Sequence, residues 1–331
     1  MKSHTYNIRP AEMVRLAFVL LVPMMIFAAV ARIGALIHLW PSPWPALDVD
    51  HTILTHQAEA SRTANKADLL LIGDSSCLMD LSGKRMQEIF LGKHDSLNLG
   101  TLMYLGFHGD AEILSRYAST NPGRLQTVIV LVHPEMLRSG QPVSQYLVFL
   151  SNFYAGADSG DSASVHGQLC GLFGLDIFQD RFLTRLPLPL PKEYGHYYGF
   201  NLGLYKFMNV QHGSAVDPHQ YTAAARQGNA EYRLAPAIEP GCAALRAAVP
   251  LGAKLAIGLT PIPESFAPTG YATRSQNLLR QWARWMSPEI ILTNLPATMP
   301  DSSFASTMHL NEPGALRYTE ILINCLQPLL Q

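Results

Sequence analysis

The sequence predicts an α/β fold, a three-layer doubly wound parallel sheet, and two observations lead to it. Apolar runs of strand length alternate with amphipathic stretches of helix length, and the alternation is interrupted once, between about residues 140 and 240. Continuous apolar runs separated by helices are typical of parallel strands that are covered on both faces. We therefore expect one domain over residues 66–331 that contains one large insert.

The alternation occupies two stretches of the chain, one on each side of the insert. The first stretch alternates strand and helix, over residues 67–73, 83–92, 95–100, 109–120 and 127–132. The second alternates helix and strand, over residues 242–250, 254–262, 275–286, 289–295 and 312–326. The insert is rich in aromatic residues, glycine and proline, and a structureless loop of that length is unusual in a compact domain. We expect it to form a cap or lid or to dock a partner, with aromatic side chains that either stack on sugar rings or pack a small core.

The overall composition limits the classes of function. The chain has 331 residues, of which 48% are hydrophobic and 15% charged, enough to bury one substantial core. The formal net charge is -1 and the basic residues are scattered, which gives no basis for a nucleic-acid partner. Phosphate-binding glycine motifs are missing, and the cysteines and histidines lack metal-ligand spacing. The sequence predicts no nucleic acid, no cofactor and no metal.

The N-terminal segment predicts a location. Three basic residues precede an apolar run at 16–31, and the apolar character resumes at 33–40. About 20 apolar residues cross a bilayer, and a basic flank stays in the cytoplasm. We expect a single-pass inner-membrane anchor over 1–40, a linker over 41–65 and a domain on the extracytoplasmic, periplasmic side. The alternatives are a signal peptide cleaved after the small residues at 29–31 and a buried soluble helix.

The strongest candidate for chemistry is the turn after the first predicted strand, where the sequence reads LLLIGDSS at 69–76. In open α/β sheets, ligands bind at the carboxyl ends of the strands. A serine on a glycine-containing turn at such an end is exposed, and nearby backbone N–H groups can stabilise an oxyanion. Ser75 is therefore the candidate nucleophile, and Asp74 beside it is a candidate binding residue.

A histidine near the other end of the chain is the candidate base. His309 precedes a helix that Asn311 can cap and that Pro313 can begin. A histidine in the loop before the last helix can reach back across the strand ends and accept the proton of a serine. The alternative is a loop histidine without a role, and the pairing with the motif at 73–76 favours catalysis.

These two motifs resemble the first and last blocks of the SGNH (GDSL-type) hydrolase superfamily, and within it the exported bacterial acyltransferases and esterases of cell-surface polysaccharides. The resemblance covers about residues 66–135 and 242–327. It implies an SGNH-type fold in which Ser75 is the nucleophile and its backbone amide helps to form the oxyanion hole. It also implies that His309 is the base.

The second block of the family is similar to Asn98-Leu99-Gly100. This similarity implies a further oxyanion donor in the loop that follows. The backbone amide concerned is that of Gly100, Met103 or Gly106.

Two positions depart from the family pattern. After the strand at 127–132 the family has an asparagine that donates to the oxyanion, whereas this chain has His133, which either replaces that donor or only ends the strand. Three residues before His309 the family has an aspartate, whereas this chain has Ser306. Asp301 is the nearest carboxylate on the N-terminal side and orients His309 if the loop folds back. Otherwise the site is a Ser–His dyad assisted by a backbone carbonyl.

The sequence predicts a membrane-anchored extracytoplasmic serine acyltransferase or esterase that acts on O-acyl groups of cell-surface or exported polysaccharide. The expected partners are a glycan or acyl-ester substrate, the membrane and a membrane-embedded acyl-donor protein. The alternative, which the two departures favour, is a catalytically inactive SGNH-like binding subunit of a polysaccharide synthesis or export assembly. A hydrolase of lipids or small esters is the third hypothesis.

Overall fold

The protein is an α/β domain built around a parallel sheet of five strands, as the sequence predicts. The computed structural model describes residues 49–329 except 91, 140–141, 156–200 and 221–230, together with parts of 11–30. Within these residues the strands are β1 (Leu69–Gly73), β2 (Ser96–Asn98), β3 (Thr127–Val132), β4 (Lys254–Leu259), β5 (Ile262–Pro263), β6 (Ile290–Ile291) and β7 (Thr298–Met299). The main sheet has the order β2-β1-β3-β4-β6, and β5 pairs with β7 in a separate two-stranded sheet.

Helices connect the strands and cover both faces of the sheet. In chain order they are α1 (Val49–Arg62), α2 (Ser75–Met79), α3 (Gly83–Phe90), α4 (Gly106–Thr120), α5 (Pro134–Ser139), α6 (Ser144–Tyr154), α7 (Asn201–Val210), α8 (Glu239–Ala248), α9 (Tyr271–Met286) and α10 (Glu312–Leu326). On one face, α1, α4, α8 and α9 pack against the sheet in one apolar cluster. On the other face, α3 and α10 pack in a second cluster.

The residues of β1 show why its sequence is apolar without interruption. Leu70 and Ile72 belong to the cluster on one face, while Leu69 and Leu71 belong to the cluster on the other. Successive side chains of a strand point to opposite faces, so a strand that is covered on both sides needs an apolar residue at every position. All five residues of β1 are buried.

The strand order places a topological switch point between β1 and β3. The chain continues from β1 to β2 on one side and returns to β3 on the other side, and such a point opens a crevice at the carboxyl ends of the strands. Gly73 is paired with Leu131 in the β1–β3 register. Residues that follow the two strands therefore lie level with one another at this edge.

Gly73 makes the close approach of β1 to β3 possible. It has a φ of +147°, and a Cβ at this position would lie 1.9 Å from the backbone oxygen of Leu131. A side chain cannot occupy that space. The glycine of the motif at 73–76 is thus required by the contact between the strands as well as by the turn.

The segment 41–65 is not a simple linker, because α1 lies within it. Leu54 and Ala58 of this helix are fully buried in the core, and Gln57 is also fully buried. Its apolar residues are spaced by four, so they lie on one helical face that packs against the domain. The folded domain therefore includes α1 and does not begin near Lys66.

Two helices of the insert, α6 and α7, pack against α1. The hydroxyl of Tyr146 donates to Asp50 at 2.9 Å, and the hydroxyl of Tyr205 donates to Glu59 at 2.5 Å. These two aromatic residues of the insert thus serve packing. The rest of the predicted cap or lid, 156–200 and 221–230, lies outside the described residues.

The prediction of a single-pass membrane anchor over 1–40 needs correction. In the part of the chain that the structure describes, none of the helices has the length and apolar character needed to cross a bilayer. The other residues of 1–40 lie outside the described part.

Candidate active site

Ser75 and His309 meet at the switch point between β1 and β3. The Nε2 atom of His309 lies 3.0 Å from the Oγ atom of Ser75. Ser75 is the first residue of α2, directly after the turn that leaves β1, and its side chain is partly exposed. The two residues are 234 positions apart in the chain, and the structure brings them together in the geometry of a nucleophile and its base.

Asp74 fixes the turn that carries Ser75. Its Oδ1 atom accepts the backbone N–H of Ser76 at 3.0 Å, and its Oδ2 atom accepts the backbone N–H of His133 at 3.0 Å. The side chain is buried, and burial raises its pKa to about 7, against the opposing effect of the hydrogen bond from His133. Asp74 therefore links the ends of β1 and β3 and positions the turn that carries Ser75.

Several hydrogen bonds hold the loop that carries His309. The backbone N–H of His309 donates to the Oγ atom of Ser306 at 3.1 Å, and the hydroxyl of Ser76 donates to the backbone oxygen of Met308 at 3.2 Å. The backbone N–H of Leu310 donates to the buried carboxyl group of Asp80 at 2.7 Å. Ser76 lies in α2 and Asp80 directly after it, so the segment that carries Ser75 also holds the loop of His309.

The start of α10 fixes the other end of this loop. Asn311 is the N-cap of α10, and its side-chain oxygen accepts the backbone N–H of Gly314 at 3.0 Å. The amide nitrogen of the same side chain donates to the backbone oxygens of Ser302 and Phe304. One asparagine thus caps the helix and closes the loop from 302 to 311.

The environment of His309 keeps its imidazole neutral. Burial lowers its pKa to about 4, and the negative charge of Asp217 acts in the opposite direction. At neutral pH the ring is therefore unprotonated at one nitrogen and can accept the proton of Ser75. The carboxylate of Asp217 favours the imidazolium that this transfer would form.

Asp217 is the carboxylate that acts on His309, and the sequence analysis did not select it. It lies in the insert, in a short parallel bridge with Asn311. Its Oδ1 atom also accepts the backbone N–H and the Nδ1–H of His219, at 2.9 and 2.6 Å. In the sequence, Asp217 stands in Asp-Pro-His at 217–219. This short motif does not indicate which edge of the sheet the insert reaches, so it could not place Asp217 beside His309.

Asp301, the carboxylate that the sequence analysis did select, lies in a 3-10 turn before the loop. Its Oδ1 atom accepts the backbone N–H of Ser265 at 3.0 Å. This bond fastens the loop to the short segment after β5. The charge that raises the pKa of His309 is that of Asp217.

The loop after β2 lies beside the nucleophile turn, but two of its predicted donors are already engaged. The backbone N–H of Gly100 donates to the side-chain oxygen of Asn98 at 2.8 Å, and that of Gly106 donates to the backbone oxygen of Met103. The backbone N–H of Thr101 donates to the oxygen of Gly73 at 2.8 Å, which brings the loop next to the turn. Of the three predicted amides, that of Met103 is the one that these two bonds leave as a candidate.

His133 follows β3 and is buried beside this site. Its backbone N–H is bound to Asp74, and its Nδ1 atom accepts the backbone N–H of Glu135 at 3.1 Å. Its Nε2 atom is buried and has no hydrogen-bond partner among the described residues. Burial, and to a lesser degree the charge of His309, lowers the pKa of His133 to about 3.

The sequence of this chain matches no family model and no curated protein. Among the described residues, no three His, Cys, Asp or Glu side chains are grouped so that they could hold a metal ion.

Proposed function

We propose that the protein is a serine esterase or O-acyltransferase in which Ser75 is the nucleophile and His309 is the general base. The contact of 3.0 Å between Ser75 Oγ and His309 Nε2 is the observation that carries the proposal. It lies at the carboxyl edge of a parallel sheet, at the switch point where α/β proteins bind ligands. A serine hydroxyl is a weak nucleophile unless an adjacent base accepts its proton, and this pair meets that requirement.

The reaction proceeds in two steps. Ser75 Oγ attacks the carbonyl carbon of an ester while its proton passes to His309 Nε2, and a tetrahedral oxyanion forms. The bond to the alcohol then breaks, His309 returns the proton to the departing oxygen, and an acyl-serine remains. Water or a sugar hydroxyl attacks the acyl-serine in the second step, with His309 again accepting and returning a proton.

The proposed substrate is an O-acyl group on a polysaccharide, and the proposed fold type is that of the SGNH hydrolases. The substrate class is what the resemblance to exported polysaccharide esterases and acyltransferases implies, and support for the fold type comes from the positions of the motifs in the sheet. Ser75 follows β1, the Asn98-Leu99-Gly100 segment ends β2, and His309 precedes the last helix, α10. These are the positions that the resemblance implies for the blocks of that superfamily and its polysaccharide esterases and acyltransferases.

Covalent labelling tests the proposal. The purified full chain should form an adduct with a fluorophosphonate probe and hydrolyse p-nitrophenyl acetate. Ser75→Ala should abolish the adduct because the attacking oxygen is gone. His309→Ala should slow labelling by about two to four orders of magnitude because the hydroxyl loses its base.

Two serine variants serve as controls. Ser119→Ala changes an exposed hydroxyl that bonds within α4, and it should label at the wild-type rate. Ser76→Ala keeps the nucleophile but removes the bond to Met308, so it should label more slowly and to the same final extent. A folded wild-type chain that labels no better than Ser75→Ala contradicts the proposal and favours the non-catalytic binding subunit.

A further inference from the structure

His133 carries a buried hydrogen-bond donor that nothing in the described structure uses. The residue is 1% exposed, and its Nε2 atom has no partner among the described residues. A buried donor without a partner destabilises the fold, because it has lost its hydrogen bond to water and gained none in return. Such groups are commonly kept where a ligand or a reaction intermediate supplies the missing partner.

The local hydrogen bonds fix which nitrogen of His133 carries the proton. The backbone N–H of Glu135 donates to Nδ1 at 3.1 Å, so Nδ1 is an acceptor and holds no proton. The low pKa, caused by burial, keeps the ring neutral at pH 7. The single ring proton must therefore be on Nε2, which makes this atom a donor.

The sheet places this donor beside the nucleophile. Gly73 is paired with Leu131, so Ser75 and His133, each two residues further on, lie level at the ends of neighbouring strands. Asp74 binds the backbone N–H of His133 while it shapes the turn of Ser75. The ring of His133 is also close enough to His309 for the charge of one to lower the pKa of the other.

We propose that the Nε2–H of His133 donates a hydrogen bond to the oxyanion that forms when Ser75 attacks an ester carbonyl. This inference rests on the proposed function and adds a catalytic residue to it. It assigns a donor to the strand end at which the family's asparagine is missing. A neutral donor held in place before the reaction is well suited to stabilise a developing negative charge.

The ring of Tyr232 is the competing partner. It lies 5.5 Å from the ring of His133 with an interplanar angle of 88°. If the Nε2–H points at the face of this tyrosine, the contact is a weak N–H···π interaction and His133 only fills space. The two possibilities predict different kinetic and spectroscopic results.

Three variants of the full chain separate these roles. His133→Phe removes the donor and keeps a ring, so kcat for p-nitrophenyl acetate should fall about 100- to 1000-fold with little change in KM. His133→Gln places an amide donor near the position of Nε2 and should recover much of this loss. Thr260→Val is the matched control, because it removes a different buried polar group without a described partner, a hydroxyl one strand further from Ser75. This variant should keep the wild-type kcat.

A measurement on the wild-type chain makes the test independent of the folding of any variant. In a chain with 15N-labelled histidine, the Nε2–H proton of His133 should be visible by NMR. It should move downfield when a phosphonate is attached to Ser75, because the phosphonyl oxygen occupies the position of the oxyanion.

Each outcome decides one question. A His133→Phe chain that keeps kcat within about threefold of wild type, or an NMR signal that does not move in the adduct, overturns the role of His133. A rise in KM alone has the same meaning, because it indicates a packing role. A wild-type chain without Ser75-dependent labelling instead overturns the proposed function itself.

Discussion

Replacement of Asp217 by asparagine tests whether this residue of the insert belongs to the active site. The change keeps the size of the side chain and its oxygen, which can still accept the backbone N–H of His219. It removes the negative charge that raises the pKa of His309. We expect a slower chemical step, because the imidazolium formed during attack by Ser75 loses its favourable charge partner.

The size of the effect follows from the surroundings of Asp217. A nearby opposite charge shifts a pKa by about one to three units, and each unit corresponds to about tenfold in the stability of the charged form. Asp217 already accepts two hydrogen bonds from His219, and its side chain is 15% exposed, so its charge is partly neutralised by other contacts. The lower end of the range applies, and kcat should fall about tenfold.

The assay is the pH dependence of ester hydrolysis. The base must be neutral, so kcat/KM of the wild-type chain should fall as the pH decreases through about 4, the pKa of His309. In Asp217→Asn this acid limb should move to lower pH, because protonation of His309 becomes less favourable. Asp301→Asn is the control and should leave the limb in place. An unchanged acid limb in Asp217→Asn, or a shift in Asp301→Asn instead, would show that Asp217 does not act on the protonation of His309.

Two further variants, each compared with its own control, test the framework of the site by urea denaturation. Gly73→Ala should destabilise the fold by more than about 3 kcal/mol because its Cβ meets the oxygen of Leu131. Gly123→Ala, at a φ of +69° with open space around it, should cost only about 1–2 kcal/mol, and equal losses in the two would contradict the close-contact argument. Gln57→Leu removes donors to the backbone oxygens of Gly100 and Gly213, at 2.7 and 3.1 Å, and should cost about 2–4 kcal/mol. Gln87→Leu loses one partly buried bond, to Ser96, and should cost about 1 kcal/mol; a smaller loss for Gln57→Leu than for Gln87→Leu would be the contrary result.

The sheet could be predicted from the sequence because its pattern is local. Each residue of β1 is apolar since both faces are covered, and the predicted strand 127–132 corresponds to β3 without a shift. That α1 belongs to the folded domain could not be predicted in this way. This helix has low average hydrophobicity and much of its buried surface is polar, including Thr52, His56 and Gln57. Such residues are buried through specific hydrogen bonds, which a hydrophobic pattern does not reveal.

The candidate site was partly predictable for the same reason. Ser75 and His309 stand in short motifs beside regular elements, so their positions at the strand ends follow from the strand order. The role of Asp217 depends on where a long insert returns to the sheet, and no local pattern encodes that. The engagement of the Gly100 amide by Asn98 is likewise a tertiary detail, since the same three residues could have left this amide open to a ligand.

The wide separation of Ser75 and His309 in the chain has a consequence for biosynthesis. During translation the strand that carries the nucleophile leaves the ribosome 234 residues before the base does. The loop at 302–311 is closed by the cap of α10, so the pair forms only when this last helix has docked on the sheet. Contacts of such long range form late in folding. A nascent or C-terminally truncated chain would thus lack the pair on which the proposed activity depends, and the appearance of that activity during refolding would time the completion of the whole domain.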